Sequence, residues 1–563
     1  MRQKGRTPGL LTRMLHERRH PSSDEGESGV RAESGVPSGE PGTASHVTHI
    51  RFLDDLKREP LFASLAENRQ ALKHFFQDCS DIVVRDIEFE AGIPGLIAFT
   101  DGLVNSAVQH EALEAMLVFE GVSTDIETFM HANLPVGQVA AKDNFGEVLL
   151  GILGGDTAVF VGDQSKAVLL SIRGPEKRSI SEPDTEAVVR GPKEGFVESL
   201  RTNTSLIRRK LKTPRLKMKS MVIGKETNTS IVVSYLEDIA VPSTVEEVIK
   251  RIKKINIDGV LESGYIEEFI QDNSYSPFPQ VQYTERPDVV AAALLQGRVA
   301  IIVDGTPFVL LVPFVFAQIM QASEDYYERF QIATLIRWLR YLFLVLSVTT
   351  PAFYVAVMTF HQDLLPTTLL LTIAAARENI PFPAVVEALI MEVTFEALRE
   401  AGIRLPKTIG SAVSILGALV IGQSAVQAGI VSAPMVIVVS ITGIASFTIP
   451  KFNGAIALRM LRFPILLVAS VFGFYGILLC AILIVGHLAG LRSFGIPYLS
   501  PLGPLSAADL SDTLVRAPWW TMDKRPQFMP VQDNVRLDTE LPDEIAEQSG
   551  QEGRNIDHKE DDS

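Results

Sequence analysis

The chain has 563 residues, of which 46% are hydrophobic and 21% are charged, and its mean hydropathy is +0.19. This length exceeds one ordinary domain, and the composition indicates soluble and membrane parts in one polypeptide. The formal net charge of −15 is misleading as an average, because Val531–Ser563 holds eleven acids against three Lys and Arg residues. The two cysteines, Cys79 and Cys480, lie far apart and have no CxxC spacing, so the sequence indicates neither a disulfide framework nor a cysteine metal site.

The segment Pro21–Ser45 has a composition that disfavours a folded core. Fourteen of its 25 residues are Ser, Gly or Pro, and such a stretch buries too little surface to offset the entropy lost on ordering. The basic residues near the N-terminus are not followed by an apolar stretch of signal-peptide length. We therefore predict a disordered extension at residues 1–47 and a first folded domain that is not exported. The acidic tail, residues 531–563, is also predicted to be disordered.

From Ile50 onward the pattern changes to that of a mixed α/β protein. Apolar positions at helical spacing are followed by short β-type runs such as KAVLLSIRG, and a second unit near Ser181 continues with SIVVSYLEDIA and TVEEVIKRIKKI. These patterns predict two α/β subdomains, at residues 48–180 and 181–287. Arg201–Ser220 holds eight Lys and Arg residues and no acid, which fits either a solvated face or contact with anionic lipid. The absence of interleaved aromatic residues disfavours nucleic acid.

An α-helical polytopic membrane domain of about five spans is predicted at residues 288–490. A helix needs roughly 20 apolar residues to cross the hydrocarbon core. The apolar windows are Phe330–Phe360, the shorter Leu364–Ala376, Ile409–Ile430, Ala433–Ile449 and Phe463–Leu488.

The orientation and the number of spans depend on the flanking segments. Arg329, Arg337 and Arg340 beside the first window place the soluble domains in the cytoplasm by the positive-inside tendency. Val299–Met320 contains a turn signal and two prolines, so a hairpin leading to a short membrane-edge element is expected there. Five crossings would leave the C-terminal segment, residues 491–530, outside. A further passage through Val299–Met320 or Ala384–Glu400 would return it to the cytoplasm.

The candidate functional residues are the acids of the window that begins at Glu387. At 100° per residue, Glu392, Glu396 and Glu400 fall within about 80° of one another on a helix, while Glu387 lies off that stripe. A charge at the bilayer centre costs roughly 2.5–3.5 kcal/mol, so these acids either lie on an amphipathic helix at the membrane boundary or line a path for cations. Both interpretations stay open at this point.

Two neighbouring features concern the shape of the helices. Pro381 and Pro383 remove two backbone donors, as in a hinge of a broken helix or in a simple turn. Gly417 and Gly422 belong to a small-residue face suited to close helix packing, and Gln423 is placed to bridge helices.

An enzyme is disfavoured by the absence of catalytic motifs. The sequence has no G-x-S-x-G, no P-loop and no HExxH, and its ten histidines show no metal-ligand spacing. We expect no catalytic residue, no cofactor and no metal site.

Five long phrases carry a resemblance to a known family. They are EPDTEAVVRGPKEGFVESLRTNTSLIRRKL (182–211), RPDVVAAALLQGRVAIIVDGTPFVLLVPF (286–314), SEDYYERF (323–330), PFPAVVEALIMEVTFEALREAGIRLPKTIGSAVSILGALVIGQSAVQAGIVS (381–432) and FGIPYLSPLGPL (494–505). Together they resemble the A-subunit family of bacterial spore germinant receptors, the GerA family. The resemblance covers nearly all of residues 48–510.

The resemblance implies a multi-pass protein of the spore inner membrane with a cytoplasmic two-part α/β domain. It further implies a transporter-like B subunit that binds the nutrient, a lipoprotein C subunit, and a homo-oligomer of A subunits that opens to monovalent cations. On this interpretation Glu392, Glu396 and Glu400 lie near the conduction path, and Pro381 with Pro383 forms the hinge.

Three other interpretations remain. An accessory paralogue encoded with the SpoVA channel would amplify ion release, although the long N-terminal extension argues mildly against it. A secondary transporter would also use broken helices and midplane acids, but no internal repeat relates the spans. A scaffold would only dock partners through its large soluble domain.

Overall fold

The computed structural model describes residues 56–89, 92–117, 135–174, 182–183, 185–404 and 420–536. The predicted extension, residues 1–47, and the distal tail, residues 537–563, lie outside these ranges. The described part contains an α/β region with two five-stranded sheets, a helical region and a C-terminal segment.

The first α/β subdomain is built on a five-stranded antiparallel sheet of order β1-β2-β4-β5-β3. Asn144 caps helix α3, accepting a hydrogen bond from the Glu147 amide, and Gly155 ends it at a φ of 98°. The elements are α1 (Leu65–Phe75), β1 (Ile82–Glu88), β2 (Pro94–Thr100), α2 (Ser106–Leu117), β3 (Val139–Lys142), α3 (Phe145–Gly154), β4 (Thr157–Val161) and β5 (Ala167–Leu170).

The second subdomain carries another five-stranded antiparallel sheet, of order β6-β7-β9-β10-β8. Numbered from its own first strand, each sheet has the same order, so the α/β region is a structural duplication. The elements are α4 (Leu200–Lys210), β6 (Leu216–Ile223), β7 (Thr229–Leu236), α5 (Pro242–Lys253), α6 (Ser263–Ile270), β8 (Gln282–Thr284), α7 (Pro287–Leu295), β9 (Val299–Val303) and β10 (Val309–Val312).

The hairpin expected within Val299–Met320 is present, but its assignment to the membrane region is wrong. Strands β9 and β10 pair with each other inside the second sheet, so the α/β region extends beyond residue 287. Ala300 and Ile302 face one hydrophobic core, while Ile301 and Val303 face the other. A strand that is covered on both faces has no polar alternation, and its sequence therefore resembles a membrane segment.

Seven of the eight basic residues in Arg201–Ser220 form ion pairs with acids of the α/β region, and the eighth, Lys212, is exposed. Arg208 is fully buried and holds Asp81 of the first subdomain through two bonds of 2.7 and 2.9 Å. Arg209 and Lys210 pair with Glu194. The stretch therefore ties the two subdomains together.

The helical region contains two helices that are long and apolar enough to cross a membrane, α9 and α13. A further helical stretch occupies residues 420–427. The elements are α8 (Phe316–Ile319), a 3-10 turn (Ser323–Tyr326), α9 (Phe330–Phe360), a second 3-10 turn (Gln362–Leu364), α10 (Thr367–Arg377), α11 (Ala384–Arg404), α12 (Ala433–Phe447) and α13 (Phe452–Gly490).

Helix α13 is a hairpin rather than one rod. A straight helix of 39 residues would extend about 58 Å, yet both ends of α13 reach the same loop: Asn453 lines a cleft with Ser276, and His487 Nε2 lies 2.9 Å from Ser276 Oγ. The chain turns at Gly473, whose φ of 58° and ψ of −139° suit glycine. The single window Phe463–Leu488 expected from the sequence is therefore corrected to two antiparallel passages.

The C-terminal segment returns to the α/β region after this hairpin. Its elements are β11 (Arg492–Ser493), β12 (Ile496–Pro497), α14 (Leu510–Thr513) and a 3-10 turn (Trp519–Thr521). Tyr498 donates a 2.6 Å hydrogen bond to the Pro279 carbonyl, and Val531 pairs with Ala240 in an isolated bridge. Val531 and Gln532, predicted to be part of the disordered tail, thus pack against the second subdomain.

Candidate functional site in the helical region

The acids singled out in the sequence lie on helix α11, which begins directly after Pro383. The Pro383 carbonyl accepts hydrogen bonds from the amides of Val386 and Glu387, at 3.0 and 3.1 Å, and so starts the helix. The apolar face of α11 packs with Ala388 and Met391 into a core shared with α9 and α12. Its acids consequently face neighbouring helices.

Glu392 forms a buried ion pair with Arg462 of α13. The carboxylate Oε2 lies 2.5 Å from Arg462 Nη1, and both side chains are within 1% of full burial. Arg462 Nε also donates a 2.9 Å hydrogen bond to the Ser347 carbonyl of α9. One pair therefore joins three helices.

Glu396, one helical turn further on, pairs with two arginines. Its Oε1 accepts a 2.9 Å hydrogen bond from Arg399, and its Oε2 lies 3.5 Å from Arg459 Nη1. Arg399 also donates to the Ser446 hydroxyl at 3.0 Å and lies over the Phe447 ring. This arrangement connects α11 with α12 and α13.

We call Glu392, Glu396, Arg399, Arg459 and Arg462 the central charged cluster. It contains three guanidinium groups and two carboxylates. Four of its buried polar atoms have no hydrogen-bond partner among the described residues: Glu392 Oε1, Arg399 Nε, Arg459 Nε and Arg462 Nη2. Burying a polar atom without a hydrogen-bond partner costs folding free energy. Ionisable groups inside membrane domains are concentrated at sites that bind or conduct ions.

The remaining acids of α11 lie apart from this cluster. Glu387 is fully buried; it accepts 3.0 Å hydrogen bonds from Arg377 and from the Ser432 amide. Glu400 is exposed and pairs with Arg404 one turn away. All three acids predicted to attract cations are thus held by arginine in this structure, and their role in conduction stays a prediction.

A second charged cluster, the junction cluster, lies where α9 leaves the α/β region. Asp325 accepts hydrogen bonds from Arg340 at 2.7 Å and from Arg337 at 3.2 Å, and all three side chains are buried. Asp512 of the C-terminal segment accepts from the Tyr326 hydroxyl at 3.0 Å and lies 3.3 Å from Arg337. Burial raises the pKa of Asp512, and the charge of Arg337 counteracts that rise.

The comparisons with known proteins identify the family. The sequence model of the family described as Bacillus/Clostridium GerA spore germination protein matches residues 70–528, well over half of this chain. The chain belongs to the GerA spore germination family. It is 55% identical to the uncharacterized membrane protein YfkQ of Bacillus subtilis over 85% of this chain and 93% of that protein. It is 47% identical to spore germination protein KA of the same organism, covering 88% of this chain and 92% of that protein.

One solved structure is also similar to this GerA-family chain. It is the crystal structure of the N-terminal domain of the A subunit of the Bacillus megaterium spore germinant receptor GerK3. The identity is 34% and the TM-score is 0.36, with 46% of this chain and 98% of that one covered.

The residues predicted to act as a hinge or as a packing face in this GerA-family chain lie on both sides of α11 in the sequence. Pro381 and Pro383 are exposed in the short connection between α10 and α11, which is the geometry of a turn between two helices. Gly422 is buried and faces Val436, while the Gln423 side chain is exposed. Gly417 lies outside the described residues. The roles of these residues as hinge and packing face stay predictions.

Sequence reasoning missed the partners that decide these sites. Arg337 and Arg340 were interpreted only as flanking charges that set orientation, yet both are buried and bonded to Asp325. The acidic and aromatic run SEDYYERF, directly before α9, is a usable signal for Asp325. No local pattern identifies Asp512, because it lies 186 residues from Tyr326 along the chain.

Proposed function

We propose that this chain is the A subunit of a spore germinant receptor and that its helical region is a multi-pass domain of the spore inner membrane. The observation that carries the proposal is the similarity, over nearly the whole chain, to spore germination proteins such as KA. The α/β region is then cytoplasmic, and a B subunit and a lipoprotein C subunit are the partners. Two helices suited to membrane crossing support the placement of the helical region.

The finer proposal is that several copies assemble into a channel for monovalent cations. Support comes from the central charged cluster, where Glu392 and Glu396 are bound by arginines and therefore unavailable to a cation. This arrangement fits a closed state. Opening would require Glu396 to exchange Arg399 and Arg459 for the permeating ion, and movement about the connection at Pro381 and Pro383 would supply the displacement.

The experiment is cation flux into liposomes that contain the full chain with its B and C partners, with and without nutrient. Glu396→Gln and Glu400→Gln are compared with Glu226→Gln, which removes an exposed acid of the α/β region. We expect nutrient-dependent flux whose rate or cation selectivity changes in Glu396→Gln and not in Glu226→Gln.

The alternative outcomes separate the two levels of the proposal. Nutrient-dependent flux that is the same in all variants would show that these acids do not line the conduction path, while the channel proposal itself would stand. No flux under any condition, with intact partner binding, would contradict the channel and favour a scaffold that transmits the signal by contact.

A further inference from the structure

A cavity of about 330 Å³ lies where the second α/β subdomain, the approach to α9 and the C-terminal segment meet. Its lining includes Ala292 of helix α7 and the aromatic residues Tyr326 and Trp519. The remaining lining includes Lys451, the residue directly before α13. We call it the junction cavity. It is separate from the central charged cluster, none of whose residues lines it.

The junction cavity contains a buried cation that has no acidic partner among the described residues. Arg298 is 3% exposed, and its three hydrogen bonds go to neutral oxygens: the carbonyls of Pro313 and Leu311 and the side-chain oxygen of Gln282, at 2.9, 3.3 and 2.9 Å. Burial lowers the pKa of Arg298 to about 9. Buried guanidinium groups are normally paired with a carboxylate, so this one is suited to receive an anion.

The same cavity contains a buried acceptor with one unpartnered oxygen. Asp288 is 8% exposed; its Oδ2 accepts a 2.8 Å hydrogen bond from Arg286 and another from the Tyr327 hydroxyl. Its Oδ1 is buried and has no hydrogen-bond partner among the described residues. This oxygen can accept a hydrogen bond from a donor on a ligand.

The two lysines of the lining are already neutralised by acids outside it. Lys451 lies 2.7 Å from Glu186, and Lys210 lies 3.4 Å from Glu194. Arg536 also lines the cavity, but it is only partly buried, and its guanidinium lies over the Trp519 ring, 4.9 Å from the ring centroid. Arg298 is therefore the fully buried cation of this lining that a ligand would compensate. Apolar side chains such as Ala292 and Leu295 form much of the remaining surface, which suits an organic ligand over a bare inorganic ion.

We propose that the junction cavity binds a small organic anion that also carries a hydrogen-bond donor, with the anionic group on Arg298 and the donor on Asp288. A soluble hydroxy acid has this chemistry, and so does the headgroup of phosphatidylglycerol, which carries an anionic phosphate and free hydroxyl groups. The site stands at the contact between the α/β region and the two long helices, so occupancy would alter the contact through which these parts are coupled. It does not depend on ion conduction by this chain.

The test uses the purified full chain in neutral detergent and measures equilibrium binding of mandelate, phenylacetate and glycerol 1-phosphate by calorimetry. Mandelate and phenylacetate differ by one hydroxyl group, so the difference between their affinities measures the contribution of the hydrogen bond to Asp288. We expect saturable binding of mandelate and glycerol 1-phosphate, and at least tenfold weaker binding of phenylacetate.

The variants are chosen so that a folding defect cannot mimic the result. Ala292→Phe fills the cavity and keeps its charges, whereas Arg298→Gln removes the cation. Lys253→Gln removes an exposed positive charge outside the cavity and is the matched control. We expect at least tenfold weaker mandelate binding in the first two variants and no change in the control.

Two lipid compositions distinguish the sources of the ligand. Mandelate binding is measured in nanodiscs of phosphatidylglycerol and in nanodiscs of phosphatidylcholine. Weaker mandelate binding in phosphatidylglycerol would show that this lipid competes for the cavity and would assign the site to a lipid headgroup. Equal mandelate binding in both lipids would assign the site to a soluble acid. The proposal is overturned if no probe binds saturably in detergent, or if Ala292→Phe binds mandelate as the wild type does.

Discussion

The guanidinium of Arg462 lies 2.5 Å from the carboxylate of Glu392, and both groups are buried where α13 meets α11. Removing one partner of such a pair leaves an uncompensated charge in a poorly solvating environment and lowers the free energy of unfolding by about 3–5 kcal/mol. Glu392→Gln and Arg462→Gln should each lower the apparent Tm in detergent. The double variant should recover part of the loss.

The control for this pair is Glu400→Gln, which breaks an exposed pair with Arg404. Exposed pairs contribute about 1 kcal/mol or less, so this variant should unfold near the wild-type temperature. Equal losses in Glu392→Gln and Glu400→Gln would contradict a structural role for the buried pair.

Asp325 in the junction cluster should hold α9 onto the α/β region. Asp325→Asn leaves Arg337 and Arg340 buried with reduced compensation, so the connection around residues 314–329 should loosen. We expect faster tryptic cleavage in that connection. Glu226→Gln removes an exposed acid that lies outside this connection and should leave the cleavage rate unchanged. A wild-type rate in Asp325→Asn would show that other contacts fix the junction.

Gly473 should be intolerant of any side chain. A Cβ there would lie 2.9 Å from His361 Nε2 and 3.2 Å from the Phe360 ring, at a positive φ of 58°. Gly473→Ala should therefore cost roughly 1–3 kcal/mol of stability, measured as a lower apparent Tm. Gly486→Ala, where a Cβ meets nothing within 4 Å, is the matched control and should be neutral or stabilising. A neutral Gly473→Ala would argue against the hairpin turn.

The hairpin in α13 predicts that both ends of the described chain lie on one side of the membrane. Single cysteines at the exposed positions Val222 and Val535 should react with an impermeant maleimide from the same side, and Asp363→Cys from the opposite side. The background replaces Cys79 and Cys480 by Ala. Labelling of Val535→Cys together with Asp363→Cys would mean an odd number of crossings and would refute this topology.

Glu267 on α6 should make stability depend on pH. Burial, followed by repulsion from Glu262, raises the pKa of Glu267 from 4.5 to about 7. Because the neutral acid is favoured in the folded state, stability present below pH 4.5 is lost as the pH rises towards 7. At pH 8, Glu267→Gln should be more stable than wild type by on the order of 1–3 kcal/mol, with no difference at pH 4.5.

The control for this pH effect is Glu268→Gln, an exposed neighbour. Its apparent Tm should follow that of the wild type at both pH values. A stability gain in Glu267→Gln that is equal at pH 4.5 and pH 8 would show that packing, and not ionisation, is the cause.

The sequence by itself determined the family, the α/β character of the first half and the long apolar helix α9, because these depend on local periodicity and on long matching phrases. Only the tertiary structure decided that β9 and β10 belong to a sheet, that α13 folds back at Gly473, and which partners hold the charged groups. Glu392 lies 70 residues from Arg462, and Arg337 lies 175 residues from Asp512 along the chain. The partner of a buried charge is the group that lies beside it in the folded chain, and the spacing of residues along the sequence does not identify that group.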